Sequence, residues 1–364
     1  MARRGMLPEL TVRIERLAAE GKAIAYALDR VLFVEGVVPG DVVRVQVSKK
    51  KANFMEGYVR EVLTASPLRI QAPCPHFGLC GGCQWQMLPY TLQLQAKEEQ
   101  VYSQLNHIGG VQALTEHHIL GASPTLAYRN KLEFTFSPRG WVTTPSETLD
   151  TPLPPALGFH IPRKFDRVLN IEQCLLQPTL SNEIRNAIRE YAIAHRLSFY
   201  DAKTQEGLLR NLLIRITSTQ QIMLVVREEQ PEVMRLLEYI KASFPQITSL
   251  LWAVNPKGND SLYDLDIRCF SGTTVLIEQL GDLSFEIGAK SFYQTNSKQA
   301  LTLYHAVGEM AGLQGNETVY DLYTGTGTIA LYLARKAKRV VGIETVPEAI
   351  DDAKRNAARN KIEN

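Results

Sequence analysis

The stretch Asp321-Leu-Tyr-Thr-Gly-Thr-Gly327 decides the fold of the last part of the chain. The residues before it, from Glu317, have the pattern of a β-strand, and Ile329–Lys336 has the pattern of a helix. Arg339-Val-Val-Gly-Ile-Glu344 predicts a second strand, and Pro347 stands where the first turn of a second helix begins. Strand, glycine-rich turn, helix, strand and helix together predict the start of a doubly wound α/β fold.

The glycine-rich turn predicts a cofactor site. Gly325 and Gly327 let a ligand approach the backbone, and Glu344, at the end of the second strand, can accept hydrogen bonds from ribose hydroxyls. A dinucleotide calls for the pyrophosphate fingerprint G-x-G-x-x-G, whereas here Gly-Thr-Gly is followed by Thr328 and Ile329. A short turn flanked by acids fits S-adenosylmethionine, which has no pyrophosphate.

Three cysteines lie within the ten residues Cys74-Pro-His-Phe-Gly-Leu-Cys80-Gly-Gly-Cys83, and a fourth, Cys174, lies far downstream. Four thiolates are what a cubane iron–sulfur cluster or a structural zinc needs, although the spacing is not that of a zinc ribbon. Disulfides and isolated buried thiols are the alternatives, and nothing resembling a secretory signal opens the chain. Cys269 falls in an alternating stretch, where we expect a small buried hydrophobe.

Composition and charge limit the class of protein. The chain has 364 residues with 45% hydrophobic content, which is enough for two or three domains, and no apolar run approaches the length of a membrane span. The formal net charge is only +2, yet residues 1–70 carry twelve Arg and Lys against eight Asp and Glu, which leaves +4. Such an excess suits a nucleic-acid module, and a solvated surface explains it nearly as well.

Residues 9–67 consist of short alternating segments cut by turns, which predicts about five strands and a small β-barrel. The order of Val34-Glu35-Gly36, Pro39-Gly40-Asp41 and the run Lys49-Lys50-Lys51 resembles a TRAM domain, an RNA-binding barrel. Ala23 stands where that family often has a second glycine, so the turn there is expected to differ.

The middle of the chain predicts an α+β domain. Leu132, Phe134 and Phe136 share one strand face and leave Arg129 and Lys131 on the other, where they could contact phosphates or form an ordinary exposed face. Further on, the order strand, strand, helix, strand is expected over 212–216, 221–226, 231–244 and 249–254. Other helices are expected over 90–107, 178–197 and 297–310. A loop is expected over 142–155.

The segment Phe292-Tyr-Gln294-Thr-Asn296 sets an aromatic pair beside two amides. The amides could hold the amino-acid end of the cofactor or the edge of a uracil. The alternative is a helix cap, with Asn296 or Thr295 starting the helix that begins at Ser297. Both interpretations can hold together.

These motifs occur in the order seen in RNA uracil-5-methyltransferases, and the chain resembles more narrowly the TRAM- and cluster-containing RlmD-like enzymes, which methylate a uridine of 23S ribosomal RNA. The resemblance implies a [4Fe–4S] cluster held by four cysteines, Cys74, Cys80, Cys83 and Cys174. It also implies binding of S-adenosylmethionine by Gln294, Tyr323 and Glu344, in a pocket shaped by Asp321, Gly325, Gly327 and Thr328.

The expected architecture is therefore multidomain α/β. It comprises an OB-like TRAM β-barrel at 1–67, a cluster-bearing α+β domain at 68–285, and the start of a Rossmann-like methyltransferase domain at 286–364. RNA contacts are expected at Arg129, Lys131, Lys49, Lys50 and Lys51. The protein is expected to be a cytoplasmic monomer whose partner is RNA, with no membrane.

One departure from the family bears on catalysis. The family's chemistry needs a cysteine that attacks C6 of uracil and a base that removes the C5 proton, in motifs that follow the second helix of the cofactor domain. No cysteine follows Cys269 here, so the nucleophile is expected after Asn364 and the sequence as printed is expected to be inactive. Two other classes remain as alternatives: a radical methylthiotransferase, and an inactive RNA-binding iron–sulfur protein.

Overall fold

The computed structural model of the chain describes residues 7–112, 115, 117–142 and 153–364. The backbone forms two compact units, Met1–Gly121 and Ala122–Asn364. Most of the loop expected over 142–155 lies outside the described residues. None of the helices described is long and apolar enough to cross a membrane.

The first unit contains a curled six-stranded sheet and one helix. Its elements are β1 (Glu9–Arg13), β2 (Arg16–Leu17), β3 (Lys22–Ala27), β4 (Arg30–Glu35), β5 (Val42–Lys50), β6 (Phe54–Thr64) and α1 (Tyr90–His107). The strand order is β1-β5-β6-β4-β3-β2, in which only β4 and β6 run parallel.

Alternation of side chains builds the core of this sheet. Val43, Val45 and Val47 of β5 are buried, and they share one core with alternate residues of other strands of the sheet, such as Leu32 and Val34 of β4. Ala23 is fully buried in β3, while Gly21, just before that strand, has φ +73°, a backbone conformation that favours glycine. The fold expected of the N-terminal part is confirmed, with six strands rather than five in the described residues.

The second unit begins with a seven-stranded sheet in the order β13-β12-β11-β10-β7-β8-β9. Its elements are β7 (Lys131–Ser137), β8 (Ala156–Ile161), β9 (Lys164–Asn170), α2 (Thr179–Ala194), β10 (Leu209–Ile216), β11 (Gln220–Val226), α3 (Pro231–Ser243), β12 (Ser249–Val254) and β13 (Ile267–Gly272). Strand β10 is buried along nearly its whole length, and α2 and α3 bury apolar stripes, as the sequence pattern predicts.

One sequence expectation fails on this sheet. Cys269 is exposed on β13, and its Sγ lies 3.6 Å from the carbonyl oxygen of Gly272. Strand β13 is the last strand of the sheet, so one of its sides has no neighbouring strand. Alternation fixes which residues share a face, but it does not say whether that face is covered.

The remainder of the second unit holds an antiparallel hairpin, a parallel strand pair and three helices. These elements are β14 (Val275–Leu280), β15 (Leu283–Gly288), α4 (Ser297–Ala311), β16 (Thr318–Leu322), α5 (Thr328–Ala334), β17 (Arg339–Ile343) and α6 (Pro347–Arg359). Strands β16 and β17 are parallel and joined through α5, which is the βαβ unit predicted from the glycine-rich stretch. The hairpin packs its apolar side on α4 and α5, around Leu276, Phe285 and Tyr304.

Candidate functional site

The turn between β16 and α5 is held open by two carboxylates. Asp321 Oδ2 accepts hydrogen bonds from Thr324 Oγ1 at 2.7 Å and from the amide of Ala330 at 3.1 Å, which fixes both ends of the turn. The amide of Gly325 donates to Glu344 Oε2 at 3.1 Å, so the ends of the two parallel strands meet at this point. The structure thus brings together Asp321, Gly325 and Glu344 as the sequence predicts.

Backbone conformation explains the glycines. Gly325 has φ +55° and Gly327 has φ +82°, so an L side chain would be strained at either position. A Cβ on Gly325 would meet nothing within 4 Å, whereas one on Gly327 would lie 3.2 Å from Cβ of Ala353 in α6. Gly325 therefore borders open space, and Gly327 permits α6 to pack closely on the turn.

Glu344 is a fixed, ionised acceptor at the rim of this space. Its Oε1 accepts from the amides of Thr345 at 2.7 Å and Val346 at 3.0 Å. The hydrogen bonds from Val346, Thr345 and Gly325 hold the pKa of Glu344 below its ordinary value, so the carboxylate is ionised at neutral pH. Among the described residues, Oε2 accepts only from the amide of Gly325, so this oxygen keeps a lone pair free for a donor such as a ribose hydroxyl.

Tyr323 and Thr328 have different surroundings. Tyr323 follows β16 with φ +63° and is 86% exposed, so its ring is available to lie against a ligand. Thr328 starts α5, and its Oγ1 lies 2.9 Å from the hydroxyl of Tyr304 in α4. The first residue faces solvent beside the open turn, and the second ties α4 to α5.

The segment before α4 is held by the seven-stranded sheet. Asn130 Nδ2 donates to the carbonyl oxygen of Gln294 at 2.8 Å, and the amide of Asn130 donates to the carbonyl of Thr295 at 2.8 Å. Asn296 Oδ1 accepts from the amide of Gln299 at 3.1 Å and caps α4, which confirms the cap interpretation. The side-chain amide of Gln294 makes no hydrogen bond with the described part of the chain.

A buried arginine supports the same segment. Arg215 of β10 donates to the carbonyl oxygens of Gly288 at 3.0 Å and Ser291 at 3.2 Å, and its burial lowers its pKa to about 10. Burial, followed by the nearby charges of Arg215 and Arg129, lowers the pKa of Lys131. Arg129 and Lys131 therefore lie in one positively charged region beside the segment that leads to Gln294.

Three polar residues at these positions were not anticipated from the sequence: Asn130, Arg215 and Asn356. Asn356 of α6 is fully buried; its Nδ2 donates to the carbonyl of Thr326 at 3.1 Å and its Oδ1 accepts from the amide of Glu286 at 2.7 Å. The sequence does carry a signal here, because Asp352, Asn356 and Asn360 recur every four residues on one helix face.

The cysteines of the first unit lie in consecutive turns. Cys74, Cys80 and Cys83 are half-buried, and Cys80 Sγ accepts from the amide of Gly82 at 3.4 Å. Cys174, in the second unit, is buried, and its amide donates to Asn182 Oδ1 at 2.8 Å. Cysteine thiolates are the ligands that a cluster needs, but the described residues contain no group of three His, Cys, Asp or Glu arranged to hold a metal ion. The cluster therefore stays a prediction.

The described basic residues of the first unit include some that contact a carboxylate or an aromatic ring and others that are exposed. Lys49 bonds to Glu56 Oε1 at 3.0 Å and lies 5.4 Å from the ring centroid of Phe54, while Arg60 lies 5.0 Å from that of Tyr58. Lys50 and Lys51, at the end of β5, are exposed. Cations beside accessible aromatic rings are typical of surfaces that bind single-stranded nucleic acid.

Comparison with known proteins adds family matches. Residues 8–59 match the TRAM domain, and residues 313–364 match a methyltransferase domain. An RNA methyltransferase of Bacteroides thetaiotaomicron is 50% identical over 356 residues, which cover 96% of this chain and 78% of that protein. One of Porphyromonas gingivalis is 49% identical, with 97% and 78% covered.

A solved structure shares the fold. The tRNA (uracil-54, C5)-methyltransferase of Pyrococcus abyssi, solved with S-adenosyl-L-homocysteine, superposes with a TM-score of 0.73 at 24% identity. The superposition covers 97% of this chain and 77% of that one. The expected multidomain α/β fold with a TRAM domain and a methyltransferase domain is thereby confirmed.

Proposed function

The chain belongs to the family of these RNA methyltransferases, and we propose that it transfers methyl groups from S-adenosylmethionine to C5 of a uridine, in 23S ribosomal RNA. The observation that carries the cofactor assignment is the open turn at Gly325, bordered by the ionised carboxylate of Glu344 and the exposed ring of Tyr323. These residues fit a ligand with a ribose and an adenine and no pyrophosphate.

Each residue has a separate role in this proposal. Glu344 accepts from the ribose hydroxyls, Tyr323 lies against the adenine, and the amide of Gln294 binds the amino-acid end of the cofactor or the uracil edge. Asp321 holds both ends of the turn, Thr328 ties α5 to α4, and Gly325 and Gly327 keep the backbone of the turn close to the ligand. When bound, the cofactor supplies an electrophilic methyl group, which the protein holds in line with the base.

RNA recognition is assigned to both units. Lys49, Lys50 and Lys51 of the TRAM domain would contact phosphates, as would Arg129 and Lys131 of the second unit. The choice of C5 of uridine rests on the order of motifs in the sequence and agrees with the activity for which the Pyrococcus abyssi enzyme is named. We keep 1–67, 68–285 and 286–364 as the proposed functional divisions.

The decisive test is the RNA of a strain that lacks the gene. We expect 5-methyluridine to disappear from purified 23S ribosomal RNA, measured by mass spectrometry of nucleosides, and to return when the complete gene is restored. Glu344→Gln should restore far less of it, because a neutral amide is a weaker acceptor for the ribose hydroxyls; loss of an interaction with a charged group lowers affinity on the order of tenfold.

Because the pKa of Glu344 is lowered, cofactor affinity should stay level between pH 6 and 8, roughly the range above its titration.

Glu348→Gln is the matched control, since Glu348 is an exposed carboxylate in the first turn of α6. It should restore the modification fully. Unchanged 5-methyluridine in 23S ribosomal RNA of the deletion strain would refute this substrate, and its loss from transfer RNA instead would reassign the substrate. Loss of neither would favour an RNA-binding protein without methylation activity.

We also propose that Cys74, Cys80, Cys83 and Cys174 bind a [4Fe–4S] cluster. Four thiolate ligands leave no open iron position, so the cluster would order the protein or its RNA surface rather than bind substrate. Protein purified without oxygen should contain about four iron and four sulfide per chain, as the cluster type requires. Cys80→Ser should lose most of both, whereas Cys269→Ser, at an exposed cysteine outside the set, should retain them. Iron-free wild-type protein from anaerobic preparation would contradict the proposal.

A further inference from the structure

The hairpin formed by β8 and β9 is basic and carries an exposed aromatic ring. Residues 160–167 hold three cations against one carboxylate, namely Arg163, Lys164 and Arg167 against Asp166. Arg163 lies in the turn and Lys164 begins β9; both are exposed. The ring of Phe165, directly after them, is 66% exposed. A ring among cations is typical of surfaces that bind single-stranded nucleic acid, where the ring stacks on a base and the cations contact phosphates.

A cavity of about 470 Å³ lies beside this ring. It is lined by Phe165 and other residues of the hairpin, by the last residues of β7, by Tyr200 and by the chain around Gly258. Its volume falls within the range of small-molecule sites, roughly 300–1,000 Å³, which is large enough for a nucleobase. The hairpin therefore offers a stacking ring at the wall of a cavity, with cations next to it in sequence.

The carboxylates in the wall of this cavity are paired with cations. Asp166 Oδ2 lies 2.6 Å from Lys203 Nζ, and Asp260 Oδ1 lies 2.9 Å from Nη2 of the buried Arg210. The hydrogen bond from Lys203 holds the pKa of Asp166 below its ordinary value, so this pair is charged at neutral pH. A phosphate in the cavity would lie near two carboxylates, whereas a neutral base would not be repelled. The cavity thus suits a base, and the exposed tip of the hairpin suits phosphates.

One face of β7 connects the cavity with the proposed reaction site. Lys131, Glu133 and Thr135 share this face because side chains alternate along a strand. Thr135 lines the cavity, and Lys131 belongs to the positively charged region beside the segment that leads to Gln294. Glu133 lies between them, and the charge of Lys131 partly offsets its own. Four residues of strand span about 13 Å, at roughly 3.3 Å per residue, so a short stretch of RNA reaches from one position to the other.

We propose that the β8–β9 hairpin and this cavity bind a single-stranded segment of the substrate RNA next to the methylated uridine, with one base stacked on Phe165 and the adjoining phosphates on Arg163 and Lys164. Every base has a π-face, so this contact holds the RNA without selecting a sequence. The proposal rests on the proposed function, because it takes the substrate to be RNA and Gln294 to lie at the reacting base.

Fluorescence anisotropy of the full chain with labelled U₉ tests the stacking contact. Phe165→Leu keeps an apolar side chain and removes the ring, so U₉ should bind about tenfold more weakly, the order of effect of one lost base stack. Phe165→Trp keeps a ring and should bind at least as tightly as the wild type. Thermal unfolding would establish that both variants fold.

The matched control is Ile193→Ala, at an exposed apolar side chain of α2. The guanidinium of Arg185 in α2 lies 5.0 Å from the ring centroid of Phe134, which alternates with Thr135, so α2 covers the face of the sheet opposite to Thr135. Ile193→Ala should therefore leave the affinity for U₉ unchanged.

The dependence of affinity on salt tests the phosphate contacts of the hairpin. Lys164→Ala should make the slope of log affinity against log salt shallower by about 0.7, the contribution of one phosphate contact to single-stranded RNA. Lys241→Ala removes the same charge at an exposed position of α3 and should leave the slope nearly unchanged. Equal slopes for the two variants would overturn the phosphate contact at Lys164.

Cross-linking locates the base directly. A U₉ analogue in which every base is 5-iodouracil attaches to nearby aromatic rings in ultraviolet light, and mass spectrometry should find it on the peptide that contains Phe165. Cross-links at other peptides alone would overturn the proposal. Wild-type affinity of Phe165→Leu would overturn it too, as would equal weakening of binding in Phe165→Leu and Phe165→Trp.

These readouts do not depend on methyl transfer, so failure of the hairpin site and failure of the proposed function are distinguishable. A deletion strain that keeps its 5-methyluridine, together with U₉ binding that depends on Phe165, would refute the proposed function alone. Loss of 5-methyluridine from that strain, together with wild-type binding of U₉ by Phe165→Leu, would refute the hairpin site alone.

Discussion

At the scale of the residue, Asn356 is a buried asparagine whose hydrogen bonds support the proposed cofactor site. Its side-chain amide bonds to both backbone groups of Glu286 and to the carbonyl of Thr326, so one buried side chain joins α6 to β15 and to the glycine-rich turn. Asn356→Ala should lower the free energy of unfolding by about 1–3 kcal/mol, because the backbone N–H of Glu286 loses its acceptor, Asn356 Oδ1. Cofactor affinity should fall as well, since the turn loses its support; urea unfolding and calorimetric titration with S-adenosylmethionine would measure the two effects.

Lys354→Ala is the control on the same helix, at an exposed position two residues away. It should change the free energy of unfolding by less than about 0.5 kcal/mol and leave cofactor affinity unaltered. If Asn356→Ala unfolded at the wild-type urea concentration, the hydrogen bonds of Asn356 would not be supporting the turn.

Residue-level prediction succeeded where the chemistry is local. The acids that flank the turn and the cap at Asn296 follow from a few neighbouring residues, and the structure contains both sets of contacts. Asn130 was missed because its partners, Gln294 and Ser297, are more than 160 positions away along the chain. A single sequence shows a polar residue in a strand-like stretch, but it does not show the distant backbone that the residue binds.

At the scale of the element, helices were predicted closely and sheet neighbours were not. The helix expected over 90–107 is α1, and the order strand, strand, helix, strand appears as β10, β11, α3 and β12. Periodicity within one segment is enough for such predictions. The pairing of β10 with β7 joins segments separated by two other strands and a helix, so only the complete sheet fixes it. Whether a strand face is covered also depends on distant parts of the chain, so the exposure of Cys269 on β13 did not follow from its own segment.

At the scale of the whole molecule, a net charge of +2 conceals local differences in charge. In the first unit, Lys49 is paired with Glu56, and Arg44 lies within ion-pair distance of Glu9 and Glu61, so these cations are partly neutralised. Lys50 and Lys51 have no carboxylate partner within the residues that the structure describes. Their charges, rather than the total charge, should set the attraction of this unit for RNA.

The double variant Lys50→Ala/Lys51→Ala tests this conclusion through the dependence of RNA affinity on salt. Each phosphate contact to single-stranded RNA contributes about 0.7 to the slope of log affinity against log salt, so the slope should become shallower by about 1.4 if both lysines bind phosphates. The control removes the same charge at two positions of α3, Arg235→Ala/Lys241→Ala, both on the exposed part of that helix. The control should shift affinity slightly, through long-range charge alone, and leave the slope nearly unchanged. Equal slopes for the two double variants would mean that RNA is attracted by the overall charge and that the end of β5 does not contact it.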